Sequence, residues 1–143
     1  MPVKLFTSST ITDPPQELED NPEKALITML IRLRAKGWYD YTFDPTSLWK
    51  DVIVNMQMFN YVWGGIFKAI DITKGLENFD KPVFLALGKY DFIVAPPYLW
   101  DPIIPKFKNI EVHIFEKSGH TPQYEESKLF DKQFNNWVKK NIK

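Results

Sequence analysis

Apolar residues recur at helical spacing over the first part of the chain. Ala25, Leu26, Met29, Leu30 and Leu33 share one helical face, with Asn21 placed to cap it, Pro22 at its first position, Glu23 near its positive end and Gly37 as its stop. This pattern predicts an amphipathic helix of about four turns. After Asp44-Pro45-Thr46, the positions Leu48, Trp49, Val52, Ile53 and Met56 again fall on one side, which predicts a second helix running towards Gly64-Gly65. Phe59, Tyr61, Trp63 and Phe67 follow, while Trp38, Tyr39, Tyr41 and Phe43 occupy the intervening loop, so residues 22 to about 72 are expected to be wholly helical. Helical aromatic stripes usually face a core. Trp49, Phe59, Tyr61 and Trp63 are therefore expected to pack inward.

Beyond Gly75 and Lys81-Pro82 the period changes. Val83-Phe84-Leu85-Ala86-Leu87 is a short continuous apolar run between turn signals, which suits a strand buried on both faces, and Glu111-Val112-His113-Ile114-Phe115 reads as a second strand. A short helix interrupted by Pro102 and Pro105 is expected between them, over Tyr98 to Phe107, making the strands parallel with a helical crossover. From Glu125 to Asn141, Phe130, Phe134, Trp137 and Val138 share a face, and Lys139 and Lys140 sit where the helix dipole favours cations. The chain thus divides into an irregular lead-in over 1–21, a helical region over 22–74 and a β-α-β-α region over 75–143. Two buried parallel strands do not make a whole sheet, because they leave an apolar, unpaired edge. More of the sheet is expected on the N-terminal side.

Composition narrows the classes. The 143 residues, at 16.8 kDa, amount to one domain, and 44% hydrophobic with 25% charged residues is a globular balance. Eighteen basic residues offset eighteen acidic ones, so neither nucleic acid nor an anionic membrane is expected as a partner. The absence of cysteine excludes disulfides and thiolate chemistry, and with no signal-peptide core or membrane-length apolar run the expected location is the cytoplasm. No metal or cofactor is expected: His113 and His120 lie in different elements without an acidic cluster at ligand spacing, and Gly64-Gly65 lacks the lysine of a phosphate loop.

Two stretches carry chemistry, each directly behind a predicted strand. The first is Gly88-Lys89-Tyr90-Asp91 with Pro96 downstream; the second is Ser118-Gly119-His120-Thr121-Pro122 with Glu125. Sites in open α/β sheets form at the carboxyl ends of strands, so Asp91 and His120 are candidates to meet. A carboxylate on one imidazole nitrogen fixes the tautomer and leaves the other nitrogen free to take a proton from a hydroxyl. His113 alternates with Val112 and Ile114 and reads as a packed strand residue.

These two motifs, in this order, resemble the C-terminal part of the α/β-hydrolase family, in which nucleophile, acid and histidine follow one another along the chain. The resemblance is specific over residues 81–138 and looser over 22–72, which look like the cap of proline iminopeptidase-type members. It implies that Asp91 is the triad acid, His120 the general base, and the enzyme a serine hydrolase acting on ester or amide bonds through an acyl-enzyme. The family's nucleophile sits in a G-x-S-x-G elbow ahead of the cap, a pattern that none of Ser8, Ser9, Ser47, Ser118 and Ser127 shows. The expectation is therefore the cap and C-terminal portion of an α/β-hydrolase fold, without nucleophile or oxyanion hole and inactive in isolation. The partners expected are the N-terminal half or a second copy of the chain, and a small apolar acyl or amino-acyl substrate once complemented. The alternative is a non-catalytic binding module, or an idle remnant, whose exposed strand edge recruits a partner.

Overall fold

The computed structural model describes residues 21–71 and 73–142, so all but the last residue of the expected lead-in lies outside the described residues. The first helix forms where its signals place it. Asn21 Oδ1 accepts from the Lys24 N–H at 3.0 Å, and α1 (Pro22–Arg32) buries Leu26. At Leu33 the backbone departs from helical geometry, and the short α2 (Arg34–Gly37) completes the predicted span as a separate turn.

The second predicted helix is corrected. Residues 45–49 form a 3-10 turn capped by Asp44, residues 52–55 are irregular, and the helix begins only at α3 (Met56–Tyr61), with Asn55 as its cap. Val52-Ile53-Val54 is a run of β-branched side chains whose restricted rotamers disfavour a helix, while Asn55 offers its side chain to the Met58 N–H at 2.9 Å. The helix then passes through a π-turn, Val62–Ile66, into α4 (Phe67–Ala69). Glu23 on α1 accepts the Val54 N–H at 2.8 Å and ties the irregular segment down. The inward packing expected of Trp49, Phe59, Tyr61 and Trp63 is met only in part: Trp49 and Phe59 are half-buried, whereas Tyr61 is 65% and Trp63 53% exposed. Phe59, Trp63 and Phe67 pack on each other instead, with ring centroids 5.7 and 5.1 Å apart.

The strands match their expected places. β1 (Val83–Gly88) and β2 (Ile110–Phe115) are parallel, with Val83 opposite Ile110 and Gly88 opposite Phe115. Among the described residues these two strands make up the sheet. The crossover expected as a short interrupted helix is two 3-10 turns, Pro97–Trp100 and Ile104–Lys106, with no α-helix. Prolines at 96, 97, 102 and 105 withhold the N–H donors that an α-helix there requires. The C-terminal helix is split at Glu126 into α5 (Pro122–Glu125) and α6 (Ser127–Asn141).

Alternation along the strands gives the sheet one aromatic face. Phe84 meets Phe130, Phe134 and Trp137 of α6 at centroid distances of 5.9, 5.4 and 5.7 Å, and the fully buried Phe115 meets Phe130 at 5.8 Å. His113 stacks on Phe84 at 4.4 Å, a packed strand residue as expected. Lys140 and Asn141 both donate to Glu111 Oε1, which pins the end of α6 to β2. No helix among the described residues is long and apolar enough to cross a membrane.

Three loops reuse one device. Asp40, Asp44 and Asp71 each accept, through Oδ1, both the N–H and the hydroxyl of the threonine two residues on. These bonds, the hydroxyl's first, hold the three carboxyl groups below the ordinary aspartate value of 3.8. Lys140 and then Asn141 do the same for Glu111. A depressed folded-state pKa stabilises the fold above the unfolded value, and that stability is lost as pH falls through the folded value. Acid unfolding is therefore expected to advance as pH falls from the ordinary carboxylate range towards these lowered values. Replacing Thr42, Thr46 and Thr73 together by valine should move its onset to higher pH in a titration followed by circular dichroism; an unmoved onset would rule these turns out as the cause.

Candidate active site

The two strands leave the sheet side by side and remain bonded beyond it. Lys89 N–H donates to Phe115 O and Tyr90 N–H to Ser118 O, both at 2.9 Å, so the loop after β1 runs along the loop after β2. The chain then turns, with Asp91 N–H on Gly88 O. This turn aims the Asp91 carboxylate across at His120.

Asp91 and His120 meet: Oδ2 lies 2.9 Å from Nδ1. The other carboxylate oxygen, Oδ1, accepts the N–H groups of Ile93 and Val94 at 3.0 and 3.1 Å, which fixes the plane of the carboxylate. The Asp91 side chain is 15% exposed and that of His120 46%, so the acid is sheltered and the imidazole opens to solvent. With Nδ1 facing a carboxylate, the proton belongs on Nδ1 and Nε2 is left as the free base.

The histidine loop rests on further carboxylates. Glu125 Oε2 accepts the Gly119 N–H at 2.7 Å, and Glu126 Oε2 accepts the Lys117 N–H and the Ser118 hydroxyl at 2.8 and 2.7 Å. Ser118 is fully buried and already donates its hydroxyl proton, which makes it a loop-shaping residue. Ser8 and Ser9 lie outside the described residues. Among the described residues no group of three or more metal-ligating side chains assembles.

The end of α2 touches both loops at once. Lys36 O accepts the N–H of Phe92, next to Asp91, at 2.8 Å, and Gly37 O accepts the N–H of His120 itself at 2.7 Å. Such contact demands glycine. A Cβ on Gly88 would lie 1.7 Å from Gly119 O, and one on Gly119 would lie 2.2 Å from Gly37 O. Neither neighbour is a movable side chain, so the three backbones can approach only because two successive contacts lack a Cβ. A Cβ on Gly37 would meet the flexible end of Ile93, a milder obstacle. Gly88 and Gly119 stand inside the motifs read from the sequence, but nothing in the sequence signals that the helix stop, Gly37, belongs with them.

Aromatic side chains surround this junction. Trp38 packs against Phe43 and Tyr124, and Tyr39 against Tyr90, joining the segment after α2 to α5 and to the acid loop. Between Trp38, Phe43, Tyr124 and Glu125 lies a shallow hollow of about 230 Å³. Phe92 and Val94, flanking the pair, are more than half exposed.

No protein-family model matches the chain. It is 38% identical over 124 residues to the AB hydrolase superfamily protein YclE of Bacillus subtilis (strain 168), an alignment that covers 87% of this chain and 44% of that protein. Its fold resembles that of an alpha/beta fold family hydrolase from Bacillus anthracis strain Sterne, with a TM-score of 0.60 and 21% identity over 87% of this chain and 43% of that one. Sequence and fold therefore agree on one family, the α/β hydrolases. The chain spans less than half the length of these two proteins.

The glycine contacts give a direct stability expectation. Gly119→Ala should cost about 2 kcal/mol or more in urea unfolding, since an added Cβ would overlap the Gly37-Trp38 backbone. Gly64→Ala, which meets nothing within 4 Å in a helical turn, should be neutral or stabilising by up to about 1 kcal/mol. Equal effects at the two positions would contradict the close-packed junction.

Proposed function

We propose that Asp91 and His120 are the acid and general base of a serine-hydrolase triad whose nucleophile and oxyanion-hole donors lie outside these 143 residues. The observation that carries this reading is the 2.9 Å contact between Asp91 Oδ2 and His120 Nδ1, in a loop pair held by backbone bonds on both sides. Nε2 takes the proton of an attacking hydroxyl as its oxygen bonds to the substrate's carbonyl carbon, and Asp91 stabilises the imidazolium so formed. The leaving alcohol or amine departs with that proton, and a water activated by the same Nε2 then hydrolyses the acyl-enzyme. The exposed Phe92, Ile93 and Val94 beside the acid suit a small apolar acyl or amino-acyl group.

A second reading, a non-catalytic module that binds through its sheet edge, is favoured by one observation. The sheet has two strands among the described residues, and Ile114 on it is 41% exposed. The two readings separate in one experiment. Co-expressed with an N-terminal α/β-hydrolase portion carrying a G-x-S-x-G elbow, the chain should restore hydrolysis of a short-chain ester, and His120→Ala should lower that rate about a thousandfold. Alone, the chain should not react with a fluorophosphonate probe. Strong labelling of the chain alone would place a nucleophile within it, and ester turnover indifferent to His120→Ala would leave the binding reading standing.

A further inference from the structure

Glu125 makes two bonds that no other side chain in the described residues combines. Its Oε1 accepts the N–H of Tyr39, 86 residues earlier in the chain, and its Oε2 the N–H of Gly119, the residue before His120, each at 2.7 Å. The carboxylate sits on α5, whose first residue, Pro122, is buried, so it has a rigid base two residues beyond the histidine loop. Both acceptors are used on backbone donors, and both bonds are charge-assisted, the stronger kind.

These bonds run beside a third. His120 N–H donates to Gly37 O at 2.7 Å, so residues 37–39 grip the histidine loop from two directions: a carbonyl takes the histidine's own N–H, and through Glu125 the Tyr39 N–H shares an acceptor group with Gly119. The Gly119 N–H lies in the Ser118-Gly119 peptide and the His120 N–H in the next, so the two bonds fix the two successive peptides that lead to the imidazole.

We propose that Glu125 is the positioning residue of the Asp91/His120 pair, locking the histidine loop to the segment after α2 so that Nδ1 stays on the carboxylate. The role deepens the hydrolase reading and rests on it for its purpose, but the lock itself is testable without turnover. The tautomer of His120 is read from its ring nitrogen shifts in the 143-residue chain at neutral pH, with Asp91→Asn used to assign the signals.

In the wild type the Nδ1-protonated form should dominate. Glu125→Gln keeps one acceptor oxygen and should release the Gly119 or the Tyr39 N–H, and Glu125→Ala should release both. The ratio of Nδ1- to Nε2-protonated forms should fall about tenfold in the alanine variant, the change expected from loss of one charge-assisted bond, and by less in the glutamine variant. Glu23→Ala removes a comparable side-chain-to-backbone tether at Val54, far from the loop in sequence, and should leave the ratio unchanged. This control separates positioning from a general loss of stability. If Glu125→Ala does not fold, the glutamine variant carries the test.

An unchanged ratio in a folded Glu125 variant whose Gly119 and Tyr39 amide shifts have moved would overturn the proposal, as would an equal fall in Glu23→Ala. A fall confined to the Glu125 variants upholds it even where the complemented protein hydrolyses no ester, in which case the hydrolase reading alone fails.

Discussion

Where three stretches of backbone must touch, side chains are the obstacle. The exit of β1, the histidine loop and the end of α2 meet at Gly88, Gly119 and Gly37, and a single Cβ on either of the first two would overlap backbone atoms. That contact determines the rest of the site. It brings the N–H of His120 within 2.7 Å of Gly37 O, and it lets the Tyr90 N–H reach Ser118 O, so that the loops bearing Asp91 and His120 become one bonded unit. Carboxylates then complete the accounting of donors. Asp91 satisfies two N–H groups of its own turn and the imidazole, while Glu125 and Glu126 satisfy those of Gly119 and Lys117.

The arrangement makes the helical segment more than a neighbour of the pair. Through Lys36 O and Gly37 O it accepts one N–H from each loop, so a shift of α2 would disturb acid and base together. Trp38 and Tyr39 reinforce the joint by packing on Tyr124 and Tyr90. Farther along, Phe59, Trp63 and Phe67 pack on one another, and Trp63 and Phe67 are more than half exposed. The contact of the helical region with the site is thus local, concentrated in residues 36–39.

What was legible in the sequence follows from which signals are local. The strands at 83–88 and 110–115 were readable because an apolar run between turn residues has few other uses, and Asp91 and His120 because each stands just behind such a run. The helix expected from after Thr46 towards Gly64-Gly65 forms only from Met56 on, because apolar spacing does not register that Val52-Ile53-Val54 opposes a helix and that Asn55 caps a new one. The helical crossover failed for a related reason, the prolines counting for more than the hydrophobic spacing. The inward packing of Tyr61 and Trp63 was a statement about tertiary neighbours, which helical periodicity does not contain. Gly37, expected as the stop of the first helix, closes the separate turn α2 instead, and its role at the junction depends on two loops about fifty and eighty residues away, which no single-sequence signal carries.

The central claim is that this three-backbone contact holds the Asp91 and His120 loops as firmly as the sheet holds its strands. Native-state hydrogen exchange of the Phe92 and His120 amides, measured against the amides of β1 and β2, tests it most directly. The account expects both loop amides to exchange with the same opening free energy as the strands, because breaking their bonds to Lys36 O and Gly37 O requires the junction to come apart. Rapid exchange at Phe92 and His120 beneath a fully protected sheet would contradict it, and would leave the acid and base on loops free to part.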